Sequence, residues 1–183
     1  MSRDVKTVAL PTGVTLPFVE QGDPAGLPII LLHGITDSHR SFEPLLDSMP
    51  ARFHTFAVTQ RGHGDAGRPA DHYRPEDMAA DLKAFMDAMG IERAVIAGHS
   101  MGSIVARAFA HAYPKRVHGL VLIGAFATLH NKEAVLELCT VVDGLTDPID
   151  VEFVRDFQVS TLALPVPSTF LEMVIAESMK MPA

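Results

Sequence analysis

Apolar and polar residues alternate along this chain in two rhythms. Short apolar runs bounded by glycine or proline read as strands. "VKTVAL" and "TLPFVE" flank Pro11-Thr12-Gly13 and predict an opening hairpin. "LPIILLHG", "FHTFAVTQRGHG", "RAVIAGHS" and "VHGLVLIGA" are nearly unbroken apolar runs, as expected of strands covered on both faces. Between them the period lengthens. "RPEDMAADLKAFMDAMG" opens on Pro75 and two acids and stops at Gly90, which predicts a helix. Its Met78, Leu82, Phe85, Met86 and Met89 share one face, read as a core face. A second helix is expected from Met101 to about Ala112, ending before Tyr113-Pro114. Strand and helix in turn predict an α/β fold with a mainly parallel sheet.

After Gly124 the alternation stops. The remaining residues offer helical patterns broken by Pro148, Pro165 and Pro167, with no further buried strand, repeat or low-complexity segment. That stretch is expected to lie as helices over another part of the protein rather than to extend the sheet.

Composition narrows the functional classes. The 183 residues suit one domain with a sizeable core. The net charge of -7, with cations scattered among acids, argues against a nucleic-acid partner, which needs a basic face. The single cysteine, Cys139, gives neither an intrachain disulfide nor a thiolate metal cluster. No apolar run reaches the roughly 20 residues of a membrane span, and the first residues do not read as a signal peptide. The expectation is a cytoplasmic protein with no membrane association, no metal and no cofactor.

The chemistry gathers around "AVIAGHSMGS". Gly98, Ser100 and Gly102 form G-x-S-x-G after a predicted strand and before a predicted helix, the context of a nucleophile elbow. The serine of such an elbow occupies a strained turn, and side chains two positions away on either side would collide with neighbouring backbone. The helix N-terminus beneath it favours developing negative charge. An oxyanion hole needs two backbone N–H donors. Met101 supplies one by position, and Ile35 in "LLHGITDSHRSF" supplies the other, with Gly34 allowing close approach. His33 and His99 support the loop and the elbow; His33 is read as a brace rather than a titrating group. No G-x-G-x-x-G appears, so a dinucleotide site is set aside.

"LLHGITDSHRSF", "VTQRGHGDAGRP", "AGHSMGS" and "RVHGLVLIGA", in this order, resemble the α/β-hydrolase family, in its serine esterase, lactonase and C–C-bond hydrolase branch. The resemblance implies an α/β-hydrolase core over residues 1–126, followed by a helical lid over 127–183. It also implies hydrolysis of a small acyl substrate by Ser100. The serine argues against dehalogenases and epoxide hydrolases of this family, which use an aspartate. Thr59 stands where relatives often carry an aspartate, a change expected to loosen a structural hydrogen-bond network. Ser103 replaces a frequent glycine at little cost. His63 and Asp65 are expected to be structural.

In this family the acid and the histidine follow the nucleophile in sequence, on loops after two further strands. Neither those strands nor a closing "GH" is present after Gly124, so the expectation is a truncated form lacking its acid and base. His111 should sit on a helix and His118 at the wrong end of the sheet. A makeshift Ser100–His130–Asp143 set is conceivable. "VHGLVLIGA" would then be an apolar open edge, available for self-association or for a second chain that completes the fold. Two further readings stand beside the serine hydrolase: a hydrolase-derived binding or assembly module, and haloperoxidase-like or C–C-bond chemistry.

Overall fold

The computed structural model describes residues 3–125 and 133–182. Six strands form one sheet: β1 (Val5–Ala9), β2 (Thr15–Gly22), β3 (Leu27–Leu32), β4 (Phe53–Val58), β5 (Ala94–His99) and β6 (Val117–Ile123), in spatial order β1-β2-β4-β3-β5-β6. The first three in that order pair antiparallel, while β4, β3, β5 and β6 run parallel. The expected α/β-hydrolase sheet, mostly parallel with flanking helices, is therefore present.

The pleat divides the apolar strand residues between two cores. Ile30, Leu32, Phe56, Val58 and Ile96 point to one face, where α2 (Pro75–Ala88) and α3 (Met101–Ala112) cover them. Leu31, Ala57 and Ala97 point to the other, under Phe42 and Leu46 of the segment containing the short helix α1 (Glu43–Ser48). Alternate residues of one run thus serve opposite layers, which is why the runs contain so few polar positions. Phe85 of α2 is wholly buried, edge-on to Phe18 at 5.1 Å and to Phe56 at 5.8 Å between ring centroids. Burying each such ring contributes about 1.5–3 kcal/mol.

Helix ends follow the local chemistry. Pro75 occupies the first turn of α2, and the Asp77 carboxylate accepts the Arg74 N–H at 3.0 Å. Three helices, α4 (Glu133–Asp143), α5 (Val151–Ser160) and α6 (Ser168–Ser178), follow the sheet, and among the described residues no strand comes after β6. β6 is the outer strand, and its Leu120, Val121, Leu122 and Ile123 are 39–47 % exposed. The unbroken apolar run that reads as a doubly covered strand is, among the described residues, an edge strand.

One feature of the interior is absent from the apolar pattern. Arg61, just after β4, and Asp81, on the inner side of α2, form a buried bidentate pair with contacts of 2.5 and 2.6 Å. Arg61 also donates to the His72 carbonyl at 2.6 Å. Removing one partner strands a buried charge. Asp81→Ala is therefore expected to lower unfolding free energy by about 3–5 kcal/mol in urea titrations. Combining Asp81→Leu with Arg61→Met should recover most of that loss.

Candidate active site

β5 ends at His99 and α3 starts at Met101, so Ser100 alone makes the turn. Its φ of 50° and ψ of -116° are strained for any residue with a Cβ. The turn persists because its neighbours over-determine it. The Ser100 N–H donates to the Ile123 carbonyl of β6 at 2.9 Å. The Ser100 carbonyl accepts from the Ser103 N–H at 2.9 Å and from the Ser103 hydroxyl at 2.6 Å. Ser103 is thus a bonded part of the turn and not merely a small residue tolerated there.

The flanking glycines are required sterically. A Cβ on Gly98 would lie 2.2 Å from the Gly102 carbonyl oxygen, and one on Gly102 would lie 2.2 Å from that of Leu32 on β3. No side chain fits at either distance. Gly34 completes the contact from the other side: a methyl there would stand 3.1 Å from His99 Nδ1, 3.2 Å from Asp37 Oδ2 and 3.4 Å from Ser100 Cβ. The loop after β3 therefore abuts the serine, as the spacing of the two glycine-bearing segments leads one to expect.

Because the Ser100 amide is engaged by Ile123, donors for an anion beside Ser100 must come from elsewhere. The first N–H groups of α3, beginning with Met101, have no intrahelical acceptor. Ile35 and Met101 both wall one cleft of about 490 Å³, together with His63, Arg68, Tyr73 and Met78. Such a volume suits a small organic molecule. Its wall is largely apolar, and both terminal nitrogens of Arg68 are committed to backbone carbonyls.

The buried histidines hold the loops. His33 Nε2 accepts the Gln60 N–H at 2.9 Å, which assigns the ring proton to Nδ1, donating to the Gly34 carbonyl at 2.8 Å. Burial first, and the neighbouring His63 ring second, push its pKa down to about 3. With both nitrogens committed, His33 is a brace. His63 donates from Nδ1 to the Arg61 carbonyl at 2.9 Å, and burial lowers its pKa as well. Thr59 corrects an expectation. Its hydroxyl bonds both the backbone N–H of His39, at 3.1 Å, and His39 Nδ1, at 2.7 Å, so the network around it is closed, not loosened.

The base is not found among these residues. His111 is exposed on the last turn of α3, and His118 lies at the start of β6, the end of the strand remote from Ser100. His130 is outside the described residues, and Asp143 is exposed at the end of α4. The structure adds residues that no sequence pattern marks: Thr36, with φ of 67°, and Asp37, whose pKa burial raises while His99 opposes the shift. Gln158 of α5, 5 % exposed, reaches the same turn. An isolated glutamine in an amphipathic helix carries no signal of such a partnership.

Acid stability tests the histidine assignment. An unfolded chain protonates His33 near 6.5, whereas the folded protein resists until about 3. The unfolded state therefore binds more protons across that window, and stability falls as pH drops through it, by about 1.4 kcal/mol per pH unit for His33 alone. His39 and His63, also lowered by burial, steepen the fall. Urea unfolding measured against pH should show this slope, made shallower by His33→Asn.

Comparison with known proteins agrees with the architecture. A sequence profile of the alpha/beta hydrolase fold matches residues 28–157. The 2-(acetamidomethylene)succinate hydrolase of Mesorhizobium japonicum is 36% identical over 110 residues, 60% of this chain and 39% of that protein. Epoxide hydrolase A of Mycobacterium tuberculosis is 36% identical over 96 residues, 51% of this chain and 30% of that protein. The match thus spans less than half the length of each of these relatives. The esterase RhEst1 from Rhodococcus sp. ECU1013 has the same fold, with a TM-score of 0.83 at 24% identity over 97% of this chain and 69% of that one. The sheet and its covering helices are those of a common architecture, and the chain belongs to the alpha/beta hydrolase fold family.

Proposed function

We propose that this chain is the nucleophile-bearing part of a serine hydrolase that cleaves an ester, thioester or lactone through an acyl-enzyme. The observation that carries the reading is the backbone of Ser100, held at a positive φ between strand and helix and against the Gly34 loop. Strain of this kind is kept where a side chain must be presented in one orientation. The Ser100 Oγ bonds to the acyl carbon as its proton passes to a base, and the carbonyl oxygen becomes an oxyanion held by the Ile35 and Met101 N–H groups. Collapse expels the alkoxide or thiolate, which takes up the proton; water then hydrolyses the acyl-serine.

The relatives support hydrolysis in general, since they include a succinate-derivative hydrolase and an epoxide hydrolase. A serine at position 100 favours acyl transfer over epoxide opening, for which the family resemblance implies an aspartate. Residues 127–183 serve as a lid over a core of 1–126, in a cytoplasmic protein. In this reading the base and acid lie outside the described residues, in further sequence or in a second chain. The apolar edge of β6 is the surface on which additional strands would pair. A serine hydroxyl without its base retains only about 10³–10⁴-fold acceleration over water.

That exposed edge also favours a second reading, a hydrolase-derived assembly module. One experiment separates the two. In a prolonged incubation a fluorophosphonate should add once to the protein, on Ser100, at the slow rate left to an oxyanion hole without its base, and Ser100→Ala should abolish the mass increase. An acyl burst with an activated ester that survives Ser100→Ala would overturn the assignment. No labelling, beside a stable stoichiometric complex, would favour the module.

A further inference from the structure

Three exposed or partly exposed contacts fasten the end of α6 to the loops around Ser100. Lys180 pairs with Asp65 at 2.7 Å, Arg68 donates to the Lys180 carbonyl at 2.7 Å, and Arg40 approaches Glu177 at 3.6 Å. Such contacts are solvent-screened and contribute little individually. A fourth contact is buried. The Gln158 Nε2 of α5 donates to the Ser178 hydroxyl of α6 at 2.7 Å and to the Thr36 hydroxyl at 3.1 Å. The Ser178 hydrogen is already given to the Val174 carbonyl at 2.9 Å, so its oxygen can only accept here, which fixes the orientation of the Gln158 amide.

Thr36 is an improbable residue for its place. It is β-branched, its φ is 67°, and it follows Ile35 directly. A left-handed threonine persists only where its surroundings hold it. The Gln158 amide binds its hydroxyl from above, and the next residue, Asp37, places Oδ2 beside Gly34. The direction in which the Ile35 N–H points depends on this turn.

We infer that Gln158 is a positioning residue: through its hydrogen bonds to Thr36 and to the Asp37 carboxylate it sets the Gly34–Asp37 turn, and so couples the seating of α5 and α6 to the aim of the Ile35 N–H. This rests on the proposed role of Ile35 as an oxyanion donor. Displacing the helices would withdraw the amide from Thr36 and relax the turn, so the cleft would hold its anion well only when α5 and α6 are docked.

Two measurements on the whole chain test this. In hydrogen exchange, Gln158→Leu should speed the amides of residues 35–37 by about tenfold and leave Ile30 and Leu31 of β3 unchanged. In fluorophosphonate labelling, it should lower the limiting rate about tenfold, with the half-saturating concentration within about twofold of wild type. Thr36→Val should act in the same direction but by less, since the Gln158–Asp37 bond remains; the double variant should be no slower than Gln158→Leu alone, and Thr36→Ser should behave as wild type. If Gln158→Leu does not fold, Thr36→Val carries both measurements. Unchanged exchange at 35–37, or equal acceleration throughout β3, would overturn the inference. If wild-type Ser100 is not labelled at all, the serine reading fails, and the exchange arm alone decides whether Gln158 positions the turn.

Discussion

The closeness of two backbones at Gly98 and Gly102 is the constraint on which the rest of the site depends. β5 must turn into α3 within one residue, and α3 must leave the sheet with its first turn pressed against the carbonyl of Leu32. Only a backbone without side chains can approach so closely, and once it does, the residue between the glycines has no relaxed conformation available. The strain at Ser100 is thus a consequence of packing α3 on β3. The same packing carries the N-terminus of α3 next to the loop after β3, so the serine, the helix amides and Gly34 converge through one steric decision.

What remains is to keep the loops still, and here the protein uses neutral imidazoles. His33 and His39 are each bonded within the protein and too deeply buried to take a proton readily. A neutral imidazole both donates and accepts, and so His33 ties the backbone of Gly34 to that of Gln60 without adding a charge to the interior. The buried charges of Arg61 and Asp81 are paired with each other beside α2.

The sheet and its two large covering helices are readable in the chain because burial on one or both faces imposes a period that propensity reinforces. The strands at Leu27–Leu32, Phe53–Val58 and Ala94–His99, and the helix at Met101–Ala112, lie where the pattern puts them. α1 has six residues, too few for a period to show. Around the serine, glycines and spacing are informative because they report steric demands that few alternatives meet. Thr36, Asp37 and Gln158 are not, because their meaning comes from a contact spanning 122 positions of sequence between Gln158 and Thr36. Thr59 makes the same point in reverse. Judged by what it replaces it looks like a loss, yet its hydroxyl meets His39 twice.

The hydrogen bond from the Ser100 N–H to Ile123 has a mechanical meaning. Ile123 ends β6, an edge strand whose last four residues are 39–47 % exposed. The turn at Ser100 is therefore anchored at one end to the deep contact with β3 and at the other to a strand that, among the described residues, has no partner along its far side. Any polypeptide that pairs with that strand stiffens the outer anchor, and any fraying of it is transmitted through a single peptide unit to the serine. The boundary of the sheet and the geometry of the Ser100 turn are, in this protein, one elastic element.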